Sequence, residues 1–276
     1  MKIIMLSVCS LGLLLMGSAF AAQKCPPHAE LINNSNGIVL LGGTAKGPVK
    51  QVVLGEFGRD VNQQRRILGQ FDECGTLLRA DISFDKNENN VMLKMVQSVV
   101  QAASGWQAVY DISVFVLKQG KAVEVNRKQG TINYLIGEKG TITSATEAFL
   151  LKGEKGFTET IYTFDRQQRL IKSVSRSSDS QANGETRYRW NPKNQLVASE
   201  SPDSKMTWHY DKKDRELKLH SQEHNAFSDK TSLDECQLWD NRGNCTLSYL
   251  HEKETYPGAV VSRNISAAYR YEYWEK

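Results

Sequence analysis

Between residues 134 and 245 the chain repeats one short pattern five times: two strand-type residues one apart, a turn-prone residue, then an apolar residue five or six positions on. The clearest copies are Tyr162-Thr163-Phe164-Asp165…Leu170, Tyr188-Arg189-Trp190-Asn191…Leu196 and Trp208-His209-Tyr210-Asp211…Leu217. Looser ones are Tyr134-Leu135-Ile136-Gly137…Ile142 and Leu238-Trp239-Asp240…Cys245, with an earlier echo at Phe71-Asp72-Glu73-Cys74-Gly75-Thr76-Leu77. Strand side chains alternate between faces, so the two residues before each turn share one face. An Asp or Asn at the turn start accepts hydrogen bonds from the amides just ahead of it and favours a tight reversal. With a five-residue loop, the residue before the turn meets the apolar residue after it as a cross-strand pair. Each unit is therefore a β-hairpin. The turn starts at 137, 165, 191, 211 and 240 are spaced by 28, 26, 20 and 29 residues, which suits a meander with variable outer loops better than a strict solenoid.

The first twenty-one residues read as an export signal: Lys2, an apolar run from Ile3 to Met16, and the small-x-small site Ala19-Phe20-Ala21, with cleavage expected after Ala21. That apolar run is shorter than the ~20 residues needed to cross a bilayer. A lipoprotein signal does not fit, because Cys9 follows Val8 and Cys25 follows Lys24. After cleavage no integral membrane segment is expected, since the runs Val91 to Ala103 and Val109 to Leu117 are broken by Lys94, Gln97, Asp111 and Ser113. The expected location is the periplasm. The formal net charge of +4 comes without an arginine-rich stripe, which argues against nucleic acid as a partner.

Four cysteines remain after cleavage, and in an exported chain an even number reads as disulfides. Closeness favours Cys236–Cys245 on one hairpin and leaves Cys25–Cys74 to tie the N-terminus to the body. One tension arises. A five-residue loop sets Cys245 opposite Trp239, whereas a two-residue Asp240-Asn241 turn sets it opposite Cys236, so the bridge implies a last hairpin unlike its siblings.

Residues 22–276 are read as a single β-rich domain. Ala22 to Asn36 reads as an extended leader, Ile38-Val39-Leu40-Leu41 as an apolar run ended by Gly42-Gly43, and Gln51 to Asp85 as a hairpin. A short helix is expected near 90–103, capped by Asn89 or Asn90, with Val91, Met95, Val99 and Ala102 on one face. From Trp106 onward the reading is β. The expected fold is mainly β: an antiparallel meander of repeated hairpins, curled or open.

The search for chemistry assigns no catalytic, cofactor-binding or metal residue. His220 and His224 have the spacing of a helical metal pair, but their segment alternates like a strand, where four positions span ~13 Å. His28, His209 and His251 stand apart in sequence. No Gly-x-Ser-x-Gly elbow, free thiol pair or phosphate-binding glycine loop is present. Asp165, Asp211 and Asp240 are accounted for by turn chemistry, so Asp165→Ala, Asn191→Ala and Asp211→Ala are expected to weaken the fold and remove no reaction. The aromatic stripe Tyr162, Phe164, Tyr188, Trp190, Trp208, Tyr210 and Trp239 reads as core more readily than as a ligand platform. A lipid-facing barrel is set aside, because candidate strands carry Lys, Arg and Gln on both faces. The function expected is a non-catalytic binding or scaffolding module that holds an envelope protein, peptide or glycan. The alternative is a periplasmic hydrolase whose carboxylate and His residues are assembled from loops.

Two resemblances bear on this. The Tyr-x-aromatic-Asp-x-x-x-x-Leu units over about residues 130 to 250 resemble the YD repeats of Rhs-type surface and toxin-shell proteins, which implies strings of β-hairpins. Lys46-Gly47-Pro48-Val49-Lys50, Gly69 to Leu78 with Cys74 inside, Glu88-Asn89-Asn90 and the Cys236…Cys245 hairpin resemble the uncharacterised enterobacterial YnfC-type lipoprotein family. That resemblance implies an envelope location and no known chemistry. The lipid-bearing Cys of that family is missing here.

Overall fold

The computed structural model describes residues 25–275: one α-helix, then sixteen antiparallel strands in sequence order that close into a barrel, with a short 3-10 turn at Ser180–Ala182. The helix α1 covers Ala29–Leu41. The first eight strands are β1 (Val49–Gly58), β2 (Asn62–Phe71), β3 (Leu77–Glu88), β4 (Val91–Ala102), β5 (Gly105–Lys118), β6 (Lys121–Ile136), β7 (Ile142–Leu151) and β8 (Glu154–Phe164). The second eight are β9 (Leu170–Ser177), β10 (Gly184–Trp190), β11 (Leu196–Ser201), β12 (Ser204–Tyr210), β13 (Glu216–His224), β14 (Asp229–Trp239), β15 (Cys245–Tyr256) and β16 (Ala259–Tyr273). The meander is closed rather than open, because β1 pairs with β16 through Val52↔Tyr271, Leu54↔Tyr269 and Glu56↔Ala267.

All six turns of the repeat lie at one end of the barrel and share one geometry. The amide of the first turn residue donates to the carbonyl four positions on, as Asp165 does to Arg169, Asp211 to Arg215 and Asp240 to Asn244. The fourth residue is left-handed in every copy: Gly75, Gly140, Gln168, Asn194, Asp214 and Gly243. In five copies the Oδ1 of Asp72, Asp165, Asn191, Asp211 or Asp240 accepts the amides two and four residues ahead. Gly137 supplies no side chain and keeps the backbone pattern alone. Asp165→Ala should cost about 1–2 kcal/mol for its lost amide bonds, read by urea denaturation, with no change in ligand binding.

The aromatic stripe knits these turns into a rim. Trp190 donates its Nε1 to the carbonyl of Leu170, Tyr210 its hydroxyl to Leu196, and Trp239 its Nε1 to Glu216. Each acceptor is the residue that follows the preceding turn. Trp106 makes the equivalent bond to Leu77. Trp190, Tyr210 and Trp239 are thus structural, with their polar atoms satisfied by the rim.

The strand interior follows the two-residue period. Leu54, Ile67, Ala80, Ile82, Val99 and Ala108 point inward and are buried, while Val53, Leu68, Val96 and Val109 point outward and are exposed.

Two elements differ from the sequence expectation. The segment expected to be helical near 90–103 forms β4, Val91–Ala102, and not a helix. Asn89 and Asn90 both take left-handed backbone, with φ of 51° and 64°, and make the two-residue hairpin turn that right-twisted strands favour. The valines of β4 then alternate across the sheet.

The helix instead covers Ala29–Leu41, where a leader and an apolar run were expected. Its turn-like residues clasp the rim. Ser35 Oγ donates to Gln168 O and accepts from Leu170 N. Asn36 bonds Gly140 O and Ile142 N, and Asn33 donates to Cys74 O. Leu40 packs in the cluster of Leu77, Val99, Trp106, Tyr134 and Ile142, and Leu41 reaches Leu54 and Ile67. The helix therefore plugs one end of the barrel from within.

Both disulfides form as expected, Cys25–Cys74 and Cys236–Cys245. The last hairpin keeps its siblings' five-residue turn and differs by one extra register shift. Trp239 pairs with Cys245 across the five-residue loop, and two register shifts between Cys236 and Trp239 bring Cys236 within reach. The expected signal peptide falls outside the described residues.

Candidate functional site

A concavity of about 1450 Å³ lies on the outer face of β1 to β8. Two register rows of outward side chains build it. One runs Gly55, Arg66, Ser83, Val96, Asp111, Gln129, Leu150, Lys155 across neighbouring strands. The other starts at Val53 and continues through Leu68, Asp81, Ser98, Val109, Thr131 and Ala148. Small residues at Gly55, Ser83, Ser98 and Ala148 keep the floor low. The inward positions between the rows include Gly130 and Gly156, and a Cβ on Gly156 would meet the Phe149 ring at 2.3 Å.

The trough is apolar where it is most open. Val96 and Val109 keep 57% and 54% of their surface exposed, large values for valines set in a concave wall. Its acids are already compensated, chiefly by arginines outside the rows. Asp81 takes bonds from Arg79 and Ser98, and Asp111 from Arg127 and Ser113. Hydrogen bonds from these arginines hold both carboxyls below the usual range. Arg66 and Lys155 have no carboxylate within ion-pair distance among the described residues.

Inside the barrel, charge is used structurally. Arg263, 1% exposed, binds both oxygens of Glu88 at 2.8 and 2.6 Å, Glu252 at 2.6 Å and Glu254 at 2.8 Å. Lys86 and Lys230 add ion pairs to Glu88 and Glu223. Its hydrogen bonds to Glu88 push the Arg263 guanidinium up, and the Glu88 carboxyl is held down in return.

Glu216 stands where sibling hairpins carry Leu77, Ile142, Leu170, Leu196 and Cys245, so Tyr210 pairs with a carboxylate rather than with the expected Leu217. Burial first, then the charge of Asp234, pushes Glu216 up to about 7, with Lys46 opposing. Burial likewise raises Glu56 and Asp234. A raised acid binds its proton more tightly folded than unfolded, so its contribution is complete below the unfolded carboxylate range and lost as pH rises through about 7. Stability should therefore drop by roughly 2 kcal/mol from about pH 5 to about pH 8, measured by denaturant melts, and Glu216→Gln should flatten that slope.

The histidines do not converge on carboxylates in a cleft. His209 and His220 meet edge to face on the outer wall, with ring centroids 5.4 Å apart. His220 and His224 lie on strand β13, as read from the alternation. His224 pairs with Asp229 at 2.6 Å at an exposed hairpin end, and His251 bonds Asn264. His28 precedes the helix. Asp165, Asp211 and Asp240 are engaged by their own turns. No group of three metal-ligating side chains is present among the described residues. The trough itself was missed by sequence reading. Its only trace was the outward valines and phenylalanines of the first eight strands, one row spread over about a hundred residues.

No family model matches the chain, and no curated protein matches it in sequence. Among solved structures it is similar to a porin-like protein from Bacteroides uniformis, with a TM-score of 0.50, 12% identity, and coverage of 83% of this chain and 99% of that one. A weaker match is to TcdB2-TccC3 without its hypervariable C-terminal region, with a TM-score of 0.25, 10% identity, and coverage of 73% of this chain and 14% of that one. The first likeness extends to the fold: among solved structures, this chain's plugged sixteen-strand meander is similar to a porin-like β-barrel.

Proposed function

We propose that this chain is an exported, non-catalytic binding module of the cell envelope, and that its binding face is the outer trough. The observation that carries the reading is a large concavity with a mostly apolar lining, in which Val96 and Val109 are more than half exposed. Two disulfides fit an oxidising compartment. The outer wall suits water rather than lipid: Arg187 and Arg270 project from it with side chains 75% and 79% exposed. An arginine at mid-membrane on a barrel costs ~2–4 kcal/mol. Aspartate-capped five-residue turns support the likeness to YD-type hairpin chains, and the YnfC-type likeness belongs to the same envelope reading.

A neutral apolar fluorescent dye titrated into the mature protein tests this. Saturable binding is expected, abolished by Val96→Asp with Val109→Asp and kept in His209→Ala with His220→Ala. Both valines are exposed, so the double variant should fold normally by circular dichroism. Equal dye binding by the two variants would sink the reading. So would a mature protein extracted from membranes only by detergent.

A further inference from the structure

Resting on the trough as the binding face, the geometry points to an anionic phospholipid as its occupant, with acyl chains along the valine floor and the phosphate at one end. Three features lead there.

The length is right for chains rather than for a compact ligand. The trough crosses eight strands set ~4.8 Å apart. Its volume of about 1450 Å³ exceeds the ~300–1,000 Å³ usual for small-molecule pockets. A closed barrel also offers no free strand edge, so a peptide could not be held there by added ladder bonds.

The charge is asymmetric. Asp81 and Asp111 sit within the two rows, but their arginine partners lie outside them: Arg79 one row toward the plugged end, Arg127 one row toward the other. Both carboxylates are thus drawn to the margins and neutralised. What stays uncompensated among the described residues is positive: Arg66 on β2 and Lys155 on β8, one near each end of the trough. A guanidinium or ammonium beside an apolar floor receives a phosphate as its charge partner.

The middle is dry. Between the two cations the exposed apolar side chains are Leu68, Val96 and Val109, with Leu150 partly exposed, and they suit alkyl chains; the acids among them, Asp81 and Asp111, are already paired with arginines.

Mature protein is incubated with vesicles of phosphatidylcholine alone or mixed equally with phosphatidylglycerol, re-isolated, and its bound lipid identified by mass spectrometry. Stoichiometric uptake of phosphatidylglycerol is expected, with at least about tenfold preference over phosphatidylcholine. Arg66→Glu and Lys155→Glu, made separately, identify the phosphate end, and the double reversal should abolish the preference while neutral-dye binding persists. Equal uptake of the two lipids, or an intact preference in the double reversal, overturns the assignment and leaves the binding reading standing. Dye binding without uptake of either lipid does the same. Full lipid uptake by Val96→Asp with Val109→Asp would remove the trough as the site and take both readings with it.

Discussion

Arg263→Met should destabilise the barrel by about 3–5 kcal/mol, because it removes the buried central cation of three half-buried carboxylates. Arg263 bridges β16 to Glu88 on β3 and to Glu252 and Glu254 on β15, tying the seam where the first and last strands meet. Methionine fills much of the space but satisfies none of the acceptors. Lys86, 3.3 Å from Glu88, and Lys230, 3.9 Å from Glu252, are the cations left nearby. Denaturant melts at neutral pH check the size of the loss. Adding Glu88→Gln, Glu252→Gln and Glu254→Gln to Arg263→Met should recover most of it, since the penalty comes from unpaired charge and not from lost volume. A loss below ~1 kcal/mol in the single variant would mean that the cluster is hydrated and not a seam.

Replacing Cys25 and Cys74 together by serine should cost about 2–4 kcal/mol, an effect the chain-entropy account ascribes to freeing a long loop in the unfolded chain. The bridge spans 49 positions and ends at Cys74, inside the turn and at the residue whose carbonyl Asn33 clasps. The plug should feel the loss first. Amide exchange across Ala29–Leu41 is expected to rise while β5 and β6, bound along their whole lengths, keep their protection. Simultaneous loss of protection in helix and strands would show that the plug and the barrel unfold as one unit. The Cys236–Cys245 bridge closes only nine positions and should matter less.

How much of this was legible depended on the range of the interaction involved. The turns at Asp72, Asp165, Asn191, Asp211 and Asp240 are local: the residue that caps each turn lies within four positions of the amides it binds, so sequence spacing reveals them. The disulfides were legible because few cysteines leave few pairings. The helix was not. Asn33, Ser35 and Asn36 read as turn formers, since such side chains usually compete with helix bonds. Here they reach carbonyls and amides more than a hundred positions away in two of three cases. Asn89-Asn90 read as a helix cap, although the same residues tolerate the left-handed backbone of a hairpin.

Closure was invisible because Val52 meets Tyr271 only after fourteen other strands have set the curvature. The trough was hidden for a related reason. Each strand contributes one or two outward residues, and they become a surface only once eight registers align. Glu216 marks the converse case: it breaks the repeat at an apolar position, a signal that was present in the sequence and passed over in favour of Leu217.

The most direct test of the central claim, that this barrel binds through the outside of β1 to β8, is a photocrosslinking comparison in the living cell envelope. A photoreactive side chain is placed at Val96 on the trough floor or at Lys218 on the outward face of β13. The account predicts covalent adducts from Val96, of lipid mass if the occupant is as inferred, and none above background from Lys218. Adducts confined to Lys218, equal adducts from both positions, or none from Val96 would contradict it.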